Sequence, residues 1–365
     1  MEEKTSVCVA MSGGVDSSVA AASLVEQGYD VFGIMLNLWS EPGTEKSNRC
    51  CTPDSVSIAR RVASILSIPF YVLDARQVFY KKVILPFIND YTHNLTPNPC
   101  IYCNRFIRWD FLLQHALSAG AEYLATGHYA RIAKIESGGY QLIRGLDSSK
   151  DQSYVLHVLK QDQLEHALFP LGGYLKTDVR VLAQRFNLPV AERPDSQDLC
   201  FIGSSGDYRH FLIHHAPQVQ NPGPVLDVHG QILGKHRGLA FYTIGQRKGL
   251  QINSTFPRYV IEKDFTRNAL IVGTREESGR TQLVASQMNW IAGYPPSQSF
   301  SALVKIRYKS RDLPAKVKIL DDSTVFIEFN HPINDITPGQ SAVIYNGDIC
   351  LGGGVISEWQ EENIT

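Results

Sequence analysis

Residues 7 to 18, Val-Cys-Val-Ala-Met-Ser-Gly-Gly-Val-Asp-Ser-Ser, constrain this chain more than any other stretch. Val7 to Ala10 read as a short apolar strand, Ser12-Gly13-Gly14 as a loop, and a helix opens near Asp16 with Val19, Ala20, Leu24 and Val25 at apolar positions. Adjacent glycines let a backbone come close to a ligand, and the amides that open a helix have no internal partner, so the unit makes an anion cradle. A plain Gly-Ser turn is the bland alternative. The full run Ser12 to Ser18 between strand and helix favours a phosphate or pyrophosphate.

The loop lacks the Lys of GxxxxGK[ST] and is not GxGxxG, so neither a motor-type NTPase nor a dinucleotide enzyme follows from it. Ser-Gly-Gly-Val-Asp-Ser-Ser instead resembles the pyrophosphate loop of the N-type ATP pyrophosphatases, which split ATP between the α- and β-phosphates and adenylate a substrate oxygen.

At 365 residues the chain is long enough for two or three domains, each with its own core. With 44% hydrophobic and 19% charged residues it fits a soluble globular protein. No run of about 18 apolar residues exists, and Met1-Glu2-Glu3-Lys4 leads straight into the first strand, so a cytoplasmic protein without signal peptide or membrane span is expected. A net charge of -1 leaves any nucleic-acid contact to a local basic surface. Seven cysteines argue against a disulfide scaffold and for thiols that are buried, metal-bound or reactive.

Strands at 29–38 and 70–73, a helix from the Thr52 cap with Pro53 at its first position, helices over 78–91 and up to about 119, and a strand Tyr123 to Ala125 alternate along the chain. That order predicts an α/β fold with a doubly wound parallel sheet, its ligands at the carboxyl ends of the strands. A hairpin is expected over 132–146 and a helical run from Lys150 through Leu159. Beyond about Asp207 the pattern turns to β, with hairpins at 225–233 and 259–272. The expected domains are 1–206 (ATPase and catalytic), 207–280 (small, β-rich) and 281–365 (a β-barrel). Tyr345-Asn346-Gly347-Asp348 suits a tight type I′ turn in the last of these.

Cys100 and Cys103 form one CxxC, which alone is compatible with half a zinc site, a redox pair or chance. Cys200 stands in Asp195-Ser196-Gln197-Asp198-Leu199-Cys200-Phe201-Ile202. Cys8 is expected in the core of the first strand, Cys350 in the last hairpin, and Cys50 and Cys51 at a loop and helix entry. Together with Asn98-Pro99, Thr126-Gly127-His128-Tyr129-Ala130-Arg131, Lys150-Asp151-Gln152, Tyr242-Thr243-Ile244-Gly245-Gln246-Arg247 and Cys350-Leu351-Gly352-Gly353-Gly354, these blocks resemble the bacterial tRNA-specific 2-thiouridylases, in order over nearly the whole chain.

The resemblance implies ATP-dependent replacement of O2 by sulfur on the wobble uridine of tRNAs with Lys, Glu and Gln anticodons, with a sulfur-donor protein or sulfide source as second partner. An oxygen that leaves within a phosphate monoester, second pKa about 6 against about 15.7 for water, is a far better leaving group. Cys200 would carry a persulfide to C2 and Cys103 would relieve it, leaving a Cys103 to Cys200 disulfide. Ala10, Met11, Ser12, Gly13, Gly14, Val15, Asp16 and Ser17 would hold ATP phosphates, with Leu36 and Gly127 as further nucleotide contacts. Asp16 would help organise Mg²⁺, and a helix N-cap is its plainer role. The tRNA contacts implied are Asn98, Pro99, Cys100, His128, Lys150, Asp151, Gln152, Arg307, Tyr308 and Gln340. By chemistry alone His128 is at least as readable as a hydrogen-bonded structural residue. Cys100 departs from the family pattern, which commonly has Asp there. The third thiol opens a further possibility, a [4Fe–4S] cluster on Cys100, Cys103 and Cys200 with one open iron.

A strand over Val304 to Arg311 would place Lys305, Arg307, Lys309 and Arg311 on one face as a basic stripe, with Val304, Ile306 and Tyr308 beneath. Rival readings are a ligase adenylating a small carboxylate, a thiolase for another tRNA position, and an RNA-binding module with a vestigial nucleotide fold. The late Cys and the β domains disfavour the first, and the intact Ser12 to Ser18 disfavours the last.

Overall fold

The computed structural model describes residues 4–42, 52–136, 138–194, 199–202 and 207–358. Seven strands fall in the first 168 residues: β1 Ser6–Ala10, β2 Asp30–Asn37, β3 Phe70–Asp74, β4 Tyr123–Ala125, β5 Ala130–Lys134, β6 Tyr140–Arg144 and β7 Ala167–Leu168. Five of them form an all-parallel sheet in the order β3-β2-β1-β4-β7. The expected doubly wound α/β sheet is therefore present, with its strand order reversing at β1.

Both faces of β1 are covered, which is why its sequence runs apolar without alternation. Val7 and Val9 pack on one side with Val19, Ala20, Val179 and Ala183. Cys8 and Ala10 pack on the other with Trp109, Leu112 and Ala116. The first side is roofed by α1 (Val15–Glu26) and a later helix over Lys176–Arg185. On the same side α2 (Pro53–Ile65) opens at Thr52, whose hydroxyl accepts the Ser55 amide as its cap. Two longer helices, α3 (76–92) and α4 (99–118), each contain a π-helical stretch, Tyr80–Ile84 and Cys103–Leu112.

The expected helical run from Lys150 through Leu159 is shorter: α5 spans only Ser153–Leu156. The carbonyls of His157 and Leu159 leave the helical ladder to accept from Asn289 Nδ2, 2.6 and 2.9 Å away. Lys176–Arg185 is α6, and α7 spans Tyr208–His215.

A four-stranded sheet follows, β8 Gly223–Leu226, β9 Ile232–His236, β10 Tyr259–Asp264 and β11 Ala269–Gly273, in the order β10-β11-β8-β9. The last strands are β12 Arg280–Trp290, β13 Ser299–Lys305, β14 Leu313–Asp321, β15 Thr324–Ile333, β16 Ser341–Asn346 and β17 Ile349–Glu358. They run β12-β15-β14-β13-β16-β17, and pairing of β12 with β17 closes them into an antiparallel barrel. The expected hairpin over 132–146 is β5–β6, and it docks on the outside of that barrel through Cys350 and Ile349 of β17.

Two expectations for the barrel fail. The β16–β17 turn has a positive φ at Gly347 (55°) and not at Asp348, which is the pattern of type II′, not I′. The basic strand over 304–311 does not exist. To pair antiparallel with β14, the chain must reverse between Lys305 and Leu313, and it does so through a turn in which Arg307 and Ser310 exchange backbone and hydroxyl hydrogen bonds. Lys305 and Arg307 consequently turn inward: Lys305 is 9% exposed.

Candidate active site

The loop after β1 sits where the sheet reverses order, between the carboxyl ends of β1 and β4. Ser17 Oγ accepts from the Ser12 amide at 3.1 Å and meets Ser12 Oγ at 3.1 Å, while Ser18 Oγ donates to the Gly14 carbonyl at 2.8 Å. The turn is thus wired by three serines. Gly13 has φ +69° and a Cβ there would lie 2.5 Å from the Ser55 carbonyl oxygen, so only glycine fits. No side chain caps α1 at Gly14, and its first amides are left to face the loop's mouth. Gly127, beyond β4, packs so close that a Cβ would stand 2.8 Å from the Ser17 amide nitrogen.

Asp16 does not cap α1. Its carboxylate receives Lys176 Nζ at 2.7 and 2.8 Å and the Tyr129 hydroxyl at 2.8 Å. Each oxygen already accepts at least one of these donors, so a Mg²⁺ ion on Asp16 would have to share the carboxylate with Lys176 and Tyr129. Arg193 braces the opposite side, donating to the Gly13 carbonyl at 2.8 Å and to Ser55 Oγ at 3.1 Å. Lys176 and Arg193 were not singled out in the sequence, because each meets the loop from more than 150 residues away. Tyr129 belongs to the Thr126 to Arg131 stretch, where the sequence alone assigns it no role.

Asn98 Oδ1 accepts the Cys100 amide at 3.1 Å and Pro99 takes the first helical position, so the pair caps α4. Cys100 is exposed at that start; Cys103, three residues on along the same side, is half-buried where the π-helical stretch begins. Such stretches are frequent at functional sites. Cys200 is half-buried in the turn 199–202, while Asp195 to Asp198 lie outside the described residues, as do Cys50 and Cys51. Its neighbour Phe201 is locked edge-on among Phe79, Phe87 and Phe211. Cys103 and Cys200 pack against the same apolar cluster. Cys8 and Cys350 are core thiols, and burial pushes each up to about 12, far from a reactive thiolate.

Leu36 lies half-buried near the end of β2. His128 is buried, its Nδ1 2.7 Å from Thr126 Oγ1, and burial holds it neutral with a pKa of about 3. Asp151 is a buried hub: it accepts from the amides of Gly145 and Ser153 and from Ser153 Oγ, and Arg144 stands 3.5 Å away. Gln152 accepts the Tyr129 amide at 3.0 Å, and Lys150 closes a turn on Asp147. Tyr308 lies against Tyr154 and within electrostatic reach of Cys100; burial, then Asp151 and Cys100, raise its phenol pKa. Gln340 Nε2 donates to the Thr96 carbonyl at 2.6 Å, which ties the barrel to the approach to Asn98. Arg307 donates to the Ile244 carbonyl at 2.7 Å and to Thr337 Oγ1. A cavity of about 440 Å³ lined by Thr96, Ile244, Lys263, Phe265, Thr337 and Pro338 contains none of the residues of the loop after β1.

Residues 5–204 match the tRNA methyl transferase HUP domain, 209–274 the tRNA methyl transferase PRC-barrel domain, and 280–356 the aminomethyltransferase beta-barrel domain. A tRNA-specific 2-thiouridylase MnmA of Chloroflexus aurantiacus is 46% identical over 96% of this chain and 98% of its own. That of Moorella thermoacetica is 48% identical over 95% and 98%. The chain belongs to the MnmA family of tRNA-specific 2-thiouridylases. Among solved structures, a 4-thiouridine synthetase in complex with RNA and ATP is similar over 59% of this chain and 51% of its own, with TM-score 0.36 and 15% identity. No helix of the described residues is long and apolar enough to cross a membrane.

Proposed function

We propose that the loop after β1 binds ATP with Mg²⁺ and that the chain adenylates the C2 oxygen of wobble uridine 34 in tRNA before sulfur replaces it. Thiolation of a tRNA uridine at C2 is the activity of the family to which the chain belongs. The uridine oxygen attacks the α-phosphorus and pyrophosphate leaves. The terminal sulfur of a Cys200 persulfide then attacks C2, and AMP departs with the former O2. Cys103 attacks Cys200 Sγ, which frees the thiocarbonyl and leaves a Cys103 to Cys200 disulfide for an external reductant to reopen.

What supports this most is the serine-wired loop at the sheet's reversal point, whose helix amides no side chain caps. Mg²⁺ in this reading rides on the phosphates, since Asp16 is held by Lys176 and Tyr129. The divisions 1–206, 207–280 and 281–365 then serve as ATPase, connector and tRNA-contacting barrel, in a cytoplasmic enzyme for tRNAs with Lys, Glu and Gln anticodons.

A second reading rests on Cys100, exposed one helical turn before Cys103. With Cys200 these thiols are a donor set suited to a [4Fe–4S] cluster, which would supply an iron able to hold sulfide. Iron and sulfide analysis of anaerobically purified wild type and Cys100→Ala separates the two readings. A colourless, iron-free and active enzyme eliminates the cluster. The thiolation itself is tested by incubating the chain with ATP, Mg²⁺, sulfide or a persulfide donor and unmodified tRNA, followed by nucleoside mass analysis. Product without ATP, or none with every component, overturns the proposal.

A further inference from the structure

Four residues past β2, Glu41 meets the end of α7 at a pair of histidines. Glu41 Oε1 lies 2.6 Å from His214 Nδ1 and 3.4 Å from His215 Nε2. One donor atom from each of the three residues lies within 4.8 Å of the others. His215 Nε2 is buried, and at 3.4 Å from the Glu41 carboxylate it lacks the geometry of a full hydrogen bond. A buried nitrogen left in that state is costly unless something occupies it. Its ring is fixed between Phe211, 4.4 Å away by centroids, and Trp39, 5.9 Å away.

Two imidazoles and a carboxylate form the donor set of a borderline transition ion, whereas Mg²⁺ and Ca²⁺ take oxygen ligands. A tetrahedral ion with bonds of about 2.0–2.1 Å holds its donor atoms about 3.4 Å apart. His215 and Glu41 already have that spacing. His214 is 68% exposed, its ring 4.8 Å by centroids from that of His215, so a turn of its side chain into solvent-side space would bring it to the same distance.

We propose that Glu41, His214 and His215 bind a divalent transition ion of the Zn²⁺, Co²⁺ or Ni²⁺ class, with a fourth position open to water. The site lies outside the thiolation chemistry and does not depend on it. Its place in the fold gives it a structural consequence. Glu41 lies in the segment that follows the strand carrying Leu36, and Phe211 of α7 packs on Phe201, the neighbour of Cys200, at 5.6 Å. A bound ion would tie the nucleotide side of the sheet to the helix that buttresses the Cys200 turn.

Co²⁺ titration of the untagged, chelator-stripped full chain tests this, read by quenching of tryptophan fluorescence, Trp39 being beside the site, and by visible ligand-field bands. Saturable binding with nitrogen and oxygen ligation is expected, and Mg²⁺ should give no response. Glu41→Gln and His215→Ala should each weaken binding by about 100-fold or more, since loss even of an outer-sphere partner costs about 10- to 100-fold. His214→Ala, at an exposed side chain, carries the same expectation should His215→Ala fail to fold. Substituting Cys100, Cys103 and Cys200 by Ala should leave the titration unchanged. No saturable binding, undiminished binding in the Glu41 and His214 variants, an equal response to Mg²⁺, or a thiolate band lost with the cysteines would each overturn the site.

Discussion

The loop after β1 and the β-rich half of the molecule both hold groups that attract anions, and they dispose of them in opposite ways. The loop presents backbone amides at a helix start that no side chain caps, and it commits its nearby cation, Lys176, to Asp16. In the β-rich half three cations turn inward: Arg307 donates to a carbonyl and a threonine hydroxyl, and Lys263 and Lys305 are buried. The first would bind an anion through backbone geometry, which a neutral chain retains. Arg307 is spent on joining elements, Lys263 and Lys305 are buried, and exposed positions such as Lys309 and Arg311 remain for a polyanion.

Lys263 gives the largest expected effect. Its Nζ is buried with no hydrogen-bond partner, and burial lowers its pKa to about 7. The unfolded chain, with a lysine pKa of about 10.4, therefore holds a proton that the folded chain sheds between about pH 7 and pH 10. Wild-type stability should rise with pH across that window. Lys263→Met, of similar volume, should stabilise the fold by on the order of 4 kcal/mol below about pH 7, a gain that vanishes above about pH 10. Denaturant unfolding of both proteins at about pH 6 and about pH 10 checks it. An equal difference at both pH values would mean that the ammonium is paired after all.

Gly13→Ala comes next, because it combines a left-handed φ with a Cβ 2.5 Å from the Ser55 carbonyl. A cost of about 3 kcal/mol placed on the loop should weaken ATP binding by about 100-fold, measured by calorimetry, with tRNA affinity retained. Unchanged ATP affinity would move the nucleotide elsewhere. Arg307→Met should cost about 2 kcal/mol of stability by stranding the Ile244 carbonyl and Thr337 hydroxyl, and leave the salt dependence of tRNA binding as it was. A shallower salt slope would return Arg307 to the tRNA phosphates. Lys309→Ala, at an exposed position, should do the reverse. It should lower that slope by about 1 while changing stability by less than about 0.5 kcal/mol.

The parallel sheet and the strand-loop-helix turn after β1 were legible because their determinants are local: an unbroken apolar strand, two glycines, and helices with caps such as Thr52. The β13 region misled because a period of two describes a face only while the strand lasts. Where β13 stops is set by the β14 strand it must pair with, which begins eight residues on. Asp16 misled for a related reason. A first-turn acid looks like a cap, and its actual partners, Tyr129 and Lys176, arrive from other elements. The cysteines were readable as residue type and order, and the capping of α4 by Asn98-Pro99 added the placement of Cys100 and Cys103 on one side of a helix.

The central claim is that ATP converts the uridine C2 oxygen into a phosphate-bound leaving group. Its most direct test uses tRNA carrying ¹⁸O at O2 of uridine 34, incubated with ATP, Mg²⁺ and a sulfur source, with mass analysis of the nucleotide released. One ¹⁸O in AMP for each 2-thiouridine formed is the expected result, and Cys200→Ser should make no thiolated nucleoside. Label released into water, or thiolation at the wild-type rate by Cys200→Ser, would contradict the account.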